Sequence, residues 1–332
     1  MPDRTPSRQM SRSRRPVSQH RYAMRRLVVV AILGLGLFGA VRGLSTLIDR
    51  QGDAPEVVAS GESSTTVAVA GISNGTSAQV AVVTTPPTPP PTEPEETGPP
   101  TADNPADVLI VGDSDAGTFA PYLEMLLGET GLVDVELDYV VSSGLARPDF
   151  HDWPAHLADT LDNSNPDIVI VTFGGNDAQG LTEPCSNGAG TCGVDVVVSQ
   201  ATESNAAEWT AEYARRVGIV MDMLLDNPDR RVIWVGIPNA QDPEFTARLK
   251  IQDEAVRQAL EDYPDAVFVD TWEHFDGRNG GIAELVVDPR DGKAKPVRQS
   301  DGFHLNADGA EILAIDIAAQ VETILEDLGA DV

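Results

Sequence analysis

Positive charge is scarce over most of this chain. Residues 51–332 hold thirteen Lys and Arg against fifty Asp and Glu, and only three of the 332 residues are lysine. A body that acidic repels a phosphate backbone, which argues against nucleic-acid binding through its globular part. Cysteine is nearly missing as well. Cys185 and Cys192 are the only two, and no histidine lies near them in sequence, so no metal centre is expected there. Internal repeats are absent, and only one long apolar run occurs, Leu27 to Ile48. With 41% apolar residues, the chain can bury one sizeable core plus appendages.

The charge that is missing downstream is concentrated at the start, where residues 1–50 carry ten Arg against two Asp. An Arg-rich stretch followed by 22 residues that are apolar apart from Arg42, Ser45 and Thr46 predicts a basic cytoplasmic tail (1–26) and a transmembrane helix or signal anchor (27–48). Everything after it is then expected outside the membrane, on a single-pass membrane protein. A cleaved signal peptide with its apolar core at Leu27–Val41 is the competing reading. Residues 49–105 are rich in Ser, Thr and Pro and cannot bury enough surface to fold, which predicts a disordered linker.

Core periodicity is sustained only over residues 106–328, within a domain expected at 106–332. Short apolar runs at Val108–Val111, Ile168–Phe173, Val232–Val235 and Ala266–Val269 suit parallel strands covered on both faces. In Val133–Val141 apolar residues alternate with Asp134, Glu136 and Asp138, as on an edge strand with one face in water. Helical stripes lie between these runs, for example Trp209, Tyr213, Val217, Val220 and Leu224. The alternation predicts a three-layer α/β/α sandwich with a mainly parallel, flavodoxin-like sheet, whose ligand crevice sits at the carboxyl ends of the strands.

Four loops at such ends carry chemistry. Gly112-Asp113-Ser114-Asp115 places a hydroxyl and an amide at a helix start. Ser142-Ser143-Gly144 offers a backbone amide with no side chain in its way, and Gly174-Gly175-Asn176-Asp177 offers a side-chain amide. Asp301-Gly302-Phe303-His304 sets a carboxylate three residues ahead of an imidazole, close enough to fix its tautomer. Each alone reads equally as a turn or a cap. His20, His151, His156 and His274 have no comparable company.

In this order the four loops resemble the blocks of the SGNH (GDSL-type) hydrolase superfamily, and the run SSGLARPDF followed by Trp153-Pro154 is similar to a bacterial, envelope-associated branch of it. The resemblance implies Ser114 as nucleophile, His304 as general base and then acid, and Asp301 as its orienting group. It implies an oxyanion hole from the amides of Ser114 and Gly144 and the side chain of Asn176, with no cofactor and no metal. The expected activity is an extracytoplasmic serine esterase acting on a small ester or on an envelope polysaccharide. An O-acyltransferase served by a separate acyl-donor membrane protein is the alternative, and a non-catalytic envelope-binding module a lesser one. The family's first block usually reads Gly-Asp-Ser-Leu. Here Asp115 replaces the Leu; it either disfavours anionic substrates or, the favoured reading, faces solvent at the helix start.

Two rival readings are weaker. A phosphatase loop of the D-x-D-x-T kind would need its Thr where Gly117 stands, and it leaves His304 without a role. An α/β-hydrolase would need G-x-S-x-G around Ser114, which is not there. Export makes a Cys185–Cys192 disulfide the natural expectation, stapling a rim loop beside the site.

Overall fold

The computed structural model describes residues 98–185, 192–277 and 280–332. The expected membrane segment Leu27–Ile48, the tail before it and most of the expected linker lie outside the described residues. Among the described residues no helix is long and apolar enough to cross a membrane.

Strand and helix alternate along the domain. β1 (Ala106–Gly112) leads into α1 (Ser114–Thr130), β2 (Val133–Tyr139) into α2 (Trp153–Asn163), and β3 (Ile168–Thr172) into a 3-10 turn at Gly175–Asp177. A short antiparallel pair, β4 (Leu181–Thr182) and β5 (Val196–Val198), precedes α3 (Ala206–Leu224). Next come β6 (Arg231–Val235), α4 (Pro243–Leu260), β7 (Val267–Val269) and the one-turn α5 (Trp272–Phe275). The hairpin β8 (Leu285–Val287) and β9 (Ala294–Pro296) leads to the final helix, α6 (Ala307–Asp327).

The main sheet is fully parallel, in the order β2-β1-β3-β6-β7. Its central strands bury every or nearly every side chain because helices cover both faces. Val108, Ile110, Ile168, Ile170, Ile233 and Val235 point into the layer that holds α1 and α6. Their neighbours Leu109, Val111, Val169, Val171, Val232 and Trp234 point into the layer that holds α2, α3 and α4. The expected three-layer sandwich is what the chain forms. On edge strand β2, Asp134 and Glu136 are exposed. It stops at Tyr139, short of the expected Val141, because the backbone turns at Ser142 with a φ of 66°.

Helix starts are set by side-chain caps. Asp113, Asp152, Asp242 and Asn306 each accept a bond from a first-turn amide of α1, α2, α4 and α6. The domain also begins earlier than expected. Pro100 is buried and Thr101 and Asn104 exchange backbone hydrogen bonds, so the last residues read as linker belong to the folded unit. Strand order reverses around β1, whose neighbours β2 and β3 lie on opposite sides, and the crevice at the carboxyl ends of β1 and β3 receives the loops discussed next.

Candidate active site

Ser114 is the first residue of α1, directly after the β1 turn, so its side chain emerges at the crevice. Its Oγ lies 3.1 Å from His304 Nε2. The other ring nitrogen, Nδ1, lies 2.6 Å from Asp301 Oδ2. Asp301 holds its own loop in shape, because its Oδ1 accepts from the amides of Phe303 (2.9 Å) and His304 (3.1 Å). Partial burial works against that carboxylate, yet the Phe303 amide and the His304 ring keep it below the usual carboxylate range. Residues 190 positions apart thus form one hydrogen-bonded chain, hydroxyl to imidazole to carboxylate.

The three expected donors sit on the loops that follow β1, β2 and β3. The Ser114 amide is the first N–H of α1, where an α-helix has no internal acceptor for it. Gly144 is buried with its backbone at a φ of 156°, and a Cβ there would fall on Asp177 Oδ1. Only glycine fits. Asn176 donates one amide hydrogen to Asp113 Oδ2 (3.0 Å), which orients the side chain and leaves its second hydrogen uncommitted.

Behind these groups stands a polar scaffold that sequence reading missed. Asp113 is fully buried and accepts from the amides of Asp115 (3.0 Å) and Gly174 (2.9 Å) besides Asn176. It therefore ties the serine loop to the asparagine loop. Burial, then the charge of Asp115, push its carboxyl well up. Asp177 ties the asparagine loop to the glycine loop by accepting from Leu145 (2.7 Å), Ala146 (2.8 Å) and the Tyr213 hydroxyl (2.6 Å). Burial raises the Asp177 carboxyl to about 6 against the pull of those three donors. Arg216 closes the other side of that loop by donating to Leu145 O (2.7 Å) and Thr182 O (2.5 Å). Gln252 donates to Phe173 O (2.9 Å) and Gly174 O (3.1 Å). The signal available in sequence was Tyr213, a polar tip on the otherwise apolar stripe of α3.

Asp115 corrects an expectation. It does not face solvent. Its side chain is 8% exposed and turned inward, because Gly174 has no Cβ to fill the space its carboxylate occupies. His156 and His274 pair with Asp138 and Asp316, and His151 stands edge-on to Trp153.

Cys185 and Cys192 form a disulfide. The Cys185 sulfur lies 3.5 Å from the Pro148 carbonyl oxygen, so the bridge braces the loop that carries Gly144. Next to it a groove of about 460 Å³ is walled by Gly144, Leu145, Pro148, Trp153, Ile219 and Met223 among others.

No curated protein matches the sequence. Among solved structures, the chain is similar to a carbohydrate acetylesterase from Sinorhizobium meliloti, with 17% identity and a TM-score of 0.43, over 66% of this chain and 99% of the other. A carbohydrate esterase family 3 protein from Talaromyces cellulolyticus matches with 18% identity and a TM-score of 0.42, over 67% and 99%. An aryl esterase from M. smegmatis matches with 15% identity and a TM-score of 0.44, over 66% and 99%. A sequence-family match extends over residues 107–320, nearly the whole strand-and-helix domain, and by it the chain belongs to the DUF459 family, described as a protein of unknown function.

Proposed function

We propose that the domain is a serine esterase that works through an acyl-enzyme on Ser114. The observation that carries this reading is the hydrogen-bonded chain Ser114–His304–Asp301, set beside three N–H donors on separate loops. A binding module has no use for a base held 3.1 Å from a hydroxyl.

Ser114 Oγ attacks the ester carbonyl carbon and its proton passes to His304 Nε2. The carbonyl electron pair moves onto oxygen, where the amides of Ser114 and Gly144 and the Asn176 side chain stabilise the negative charge. The carbon–oxygen bond to the alcohol then breaks, and His304 returns the proton to the leaving oxygen. Water repeats the sequence on the acyl-enzyme and releases the acid. Throughout, Asp301 stabilises the imidazolium without taking the proton.

Placement outside the cytoplasm is part of the proposal. It is supported by the Arg-rich start followed by Leu27–Ile48, and by the disulfide, a bond that persists in oxidising compartments. The substrates are then small acyl esters, acetyl above all, of envelope glycans. A sugar hydroxyl in place of water would turn the same acyl-enzyme into an O-acyltransferase. Full-length protein is assayed with a chromogenic acetyl ester, with and without oligosaccharide acceptors, beside Ser114→Ala. Release of chromophore that Ser114→Ala abolishes supports the reading, and equal turnover by both proteins refutes it. Acylated oligosaccharide as main product assigns transfer over hydrolysis.

A further inference from the structure

An aromatic pair stands beside the histidine, and neither ring takes part in the chemistry described so far. The Phe303 ring is edge-on to the His304 imidazole, with centroids 5.0 Å apart. The Phe245 ring, from the first turn of α4, lies 5.1 Å from that of Phe303. Both are half-buried, packed against the small cluster of Ala178, Ile237, Ala240 and Leu249. Gly175 makes room for them. A Cβ there would lie 2.6 Å from Phe303 Cζ and 2.8 Å from Phe245 Cζ, although the Gly175 backbone is in no conformation that calls for glycine. The missing side chain therefore serves the rings, which reach to the residue next to Asn176. The Phe303 backbone is pinned as well: its amide donates to Asp301 Oδ1 (2.9 Å) and its carbonyl accepts from Arg298 (2.6 Å), so the ring is held in step with the triad.

Arg248 extends the row. Its Cζ is 5.4 Å from the Phe245 centroid, and its Nε donates to the carbonyl of Ala178 (3.2 Å), the residue after Asp177. Glu244 precedes it by four residues, the spacing of a helical ion pair, yet among the described residues Arg248 pairs with no carboxylate. Its terminal nitrogens are free to bind elsewhere. Ser114, His304, Phe303, Phe245 and Arg248 thus form successive contacts from the nucleophile to a guanidinium.

In the esterase reaction His304 hands its proton to the leaving oxygen, so the alcohol portion of the ester lies against this imidazole, next to Phe303. The negative face of an aromatic ring suits the C–H face of a sugar, and a guanidinium with uncommitted N–H groups suits a carboxylate. We propose that Phe303, Phe245 and Arg248 form the subsite for the alcohol portion, and that this alcohol is an acidic oligosaccharide. One sugar ring stacks on the aromatic pair, and the carboxylate of a neighbouring sugar pairs with Arg248. The assignment rests on the esterase reading and names the substrate class of the same site.

The test gives the full-length protein two substrates, an O-acetylated oligogalacturonide and the same oligosaccharide with its carboxylates reduced to alcohols. Acetate release is measured at about 0.15 M ionic strength, where long-range repulsion from the acidic body is screened. Wild type should favour the acidic substrate in kcat/KM by about tenfold or more, the worth of one charge-assisted hydrogen bond. Arg248→Gln should abolish that preference. Phe245→Leu should lower kcat/KM for both oligosaccharides by about fivefold relative to the chromogenic acetyl ester, and an unchanged ratio removes the aromatic pair from the subsite. Equal turnover of the two oligosaccharides by wild type, none included, overturns the proposal without any variant having to fold. So does a preference that survives Arg248→Gln. Binding gives a readout free of turnover: Ser114→Ala protein should hold the deacetylated oligogalacturonide more tightly than its reduced counterpart in calorimetric titration, and equal affinities refute the acidic subsite. The esterase reading fails separately, if Ser114→Ala hydrolyses the chromogenic ester as fast as wild type.

Discussion

The two halves of the crevice are built on different plans. The half that carries Ser114, Gly144 and Asn176 is locked from behind by carboxylates that see almost no solvent, Asp113 at 0% and Asp177 at 1% exposure. The half that carries His304 stands at the surface, where the side chains of His304 and Asp301 are 31% and 46% exposed and most of their bonds are local. In the proposed reaction the donors that would meet developing charge are fixed before substrate arrives, as electrostatic stabilisation requires. The base needs only to reach across one hydrogen bond, and a loop held by its own amides is enough for that.

Substitutions should expose this asymmetry. The largest effect is expected where the halves meet: Ser114→Ala should lower kcat/KM with the acetyl ester by about 10⁴-fold or more, with an unchanged circular dichroism spectrum. A fall shared with a lost fold would instead make the position structural. On the locked half, Asn176→Ala should cost on the order of 10²- to 10³-fold in kcat with little change in KM, as for the loss of one oxyanion donor. A loss confined to KM would place Asn176 in substrate binding. On the open half, Asp301→Asn should lower kcat and leave thermal stability within about 0.5 kcal/mol, since exposed pairs contribute little to stability. A marked loss of stability there would erase the contrast between the halves.

The scaffold adds a signature in pH. With its carboxyl raised to about 6 from the usual 3.8, folded Asp177 holds a proton more tightly than the unfolded chain does. The stabilisation from that proton is complete below about pH 4 and is lost as the pH climbs through about 6. Urea unfolding should therefore show wild-type stability falling between pH 4 and 6 relative to Asp177→Asn. Parallel curves would mean that Asp177 does not titrate in that window. The smallest effect belongs to the bridge. Cys185→Ser with Cys192→Ser should lower stability by no more than about 2–3 kcal/mol, because the closed loop is short, and should leave Ser114 chemistry within about threefold. A larger loss of kcat would show that the Gly144 loop depends on the bridge for its position.

What sequence reading reached, and what it missed, follows the range of the forces involved. Strands such as Ile168–Thr172 are readable because a parallel strand covered on both faces needs an unbroken apolar run. Strands of two or three residues, such as Leu181–Thr182 and Ala294–Pro296, are too short to show a period. The serine, glycine, asparagine and histidine loops are legible only together, from their residue types taken in order. Their supports are not, because the partners of Asp113 and Asp177 include Gly174 and Tyr213, 61 and 36 residues further along. Asp115 was misread for the same reason. A first-turn aspartate ordinarily faces water, and here its direction is set by a glycine on a distant loop.

The parallel sheet also fixes how the domain can be handled. Ala106 is the foot of β1, while Ser114 follows the head of the same strand, roughly 20 Å away at about 3.3 Å per residue. Pro99 packs beside Gly329, so both ends of the domain emerge together near that foot. A resin, a bead or a fused protein joined at either end of the domain is thus attached at the pole remote from the loops that carry Ser114 and His304.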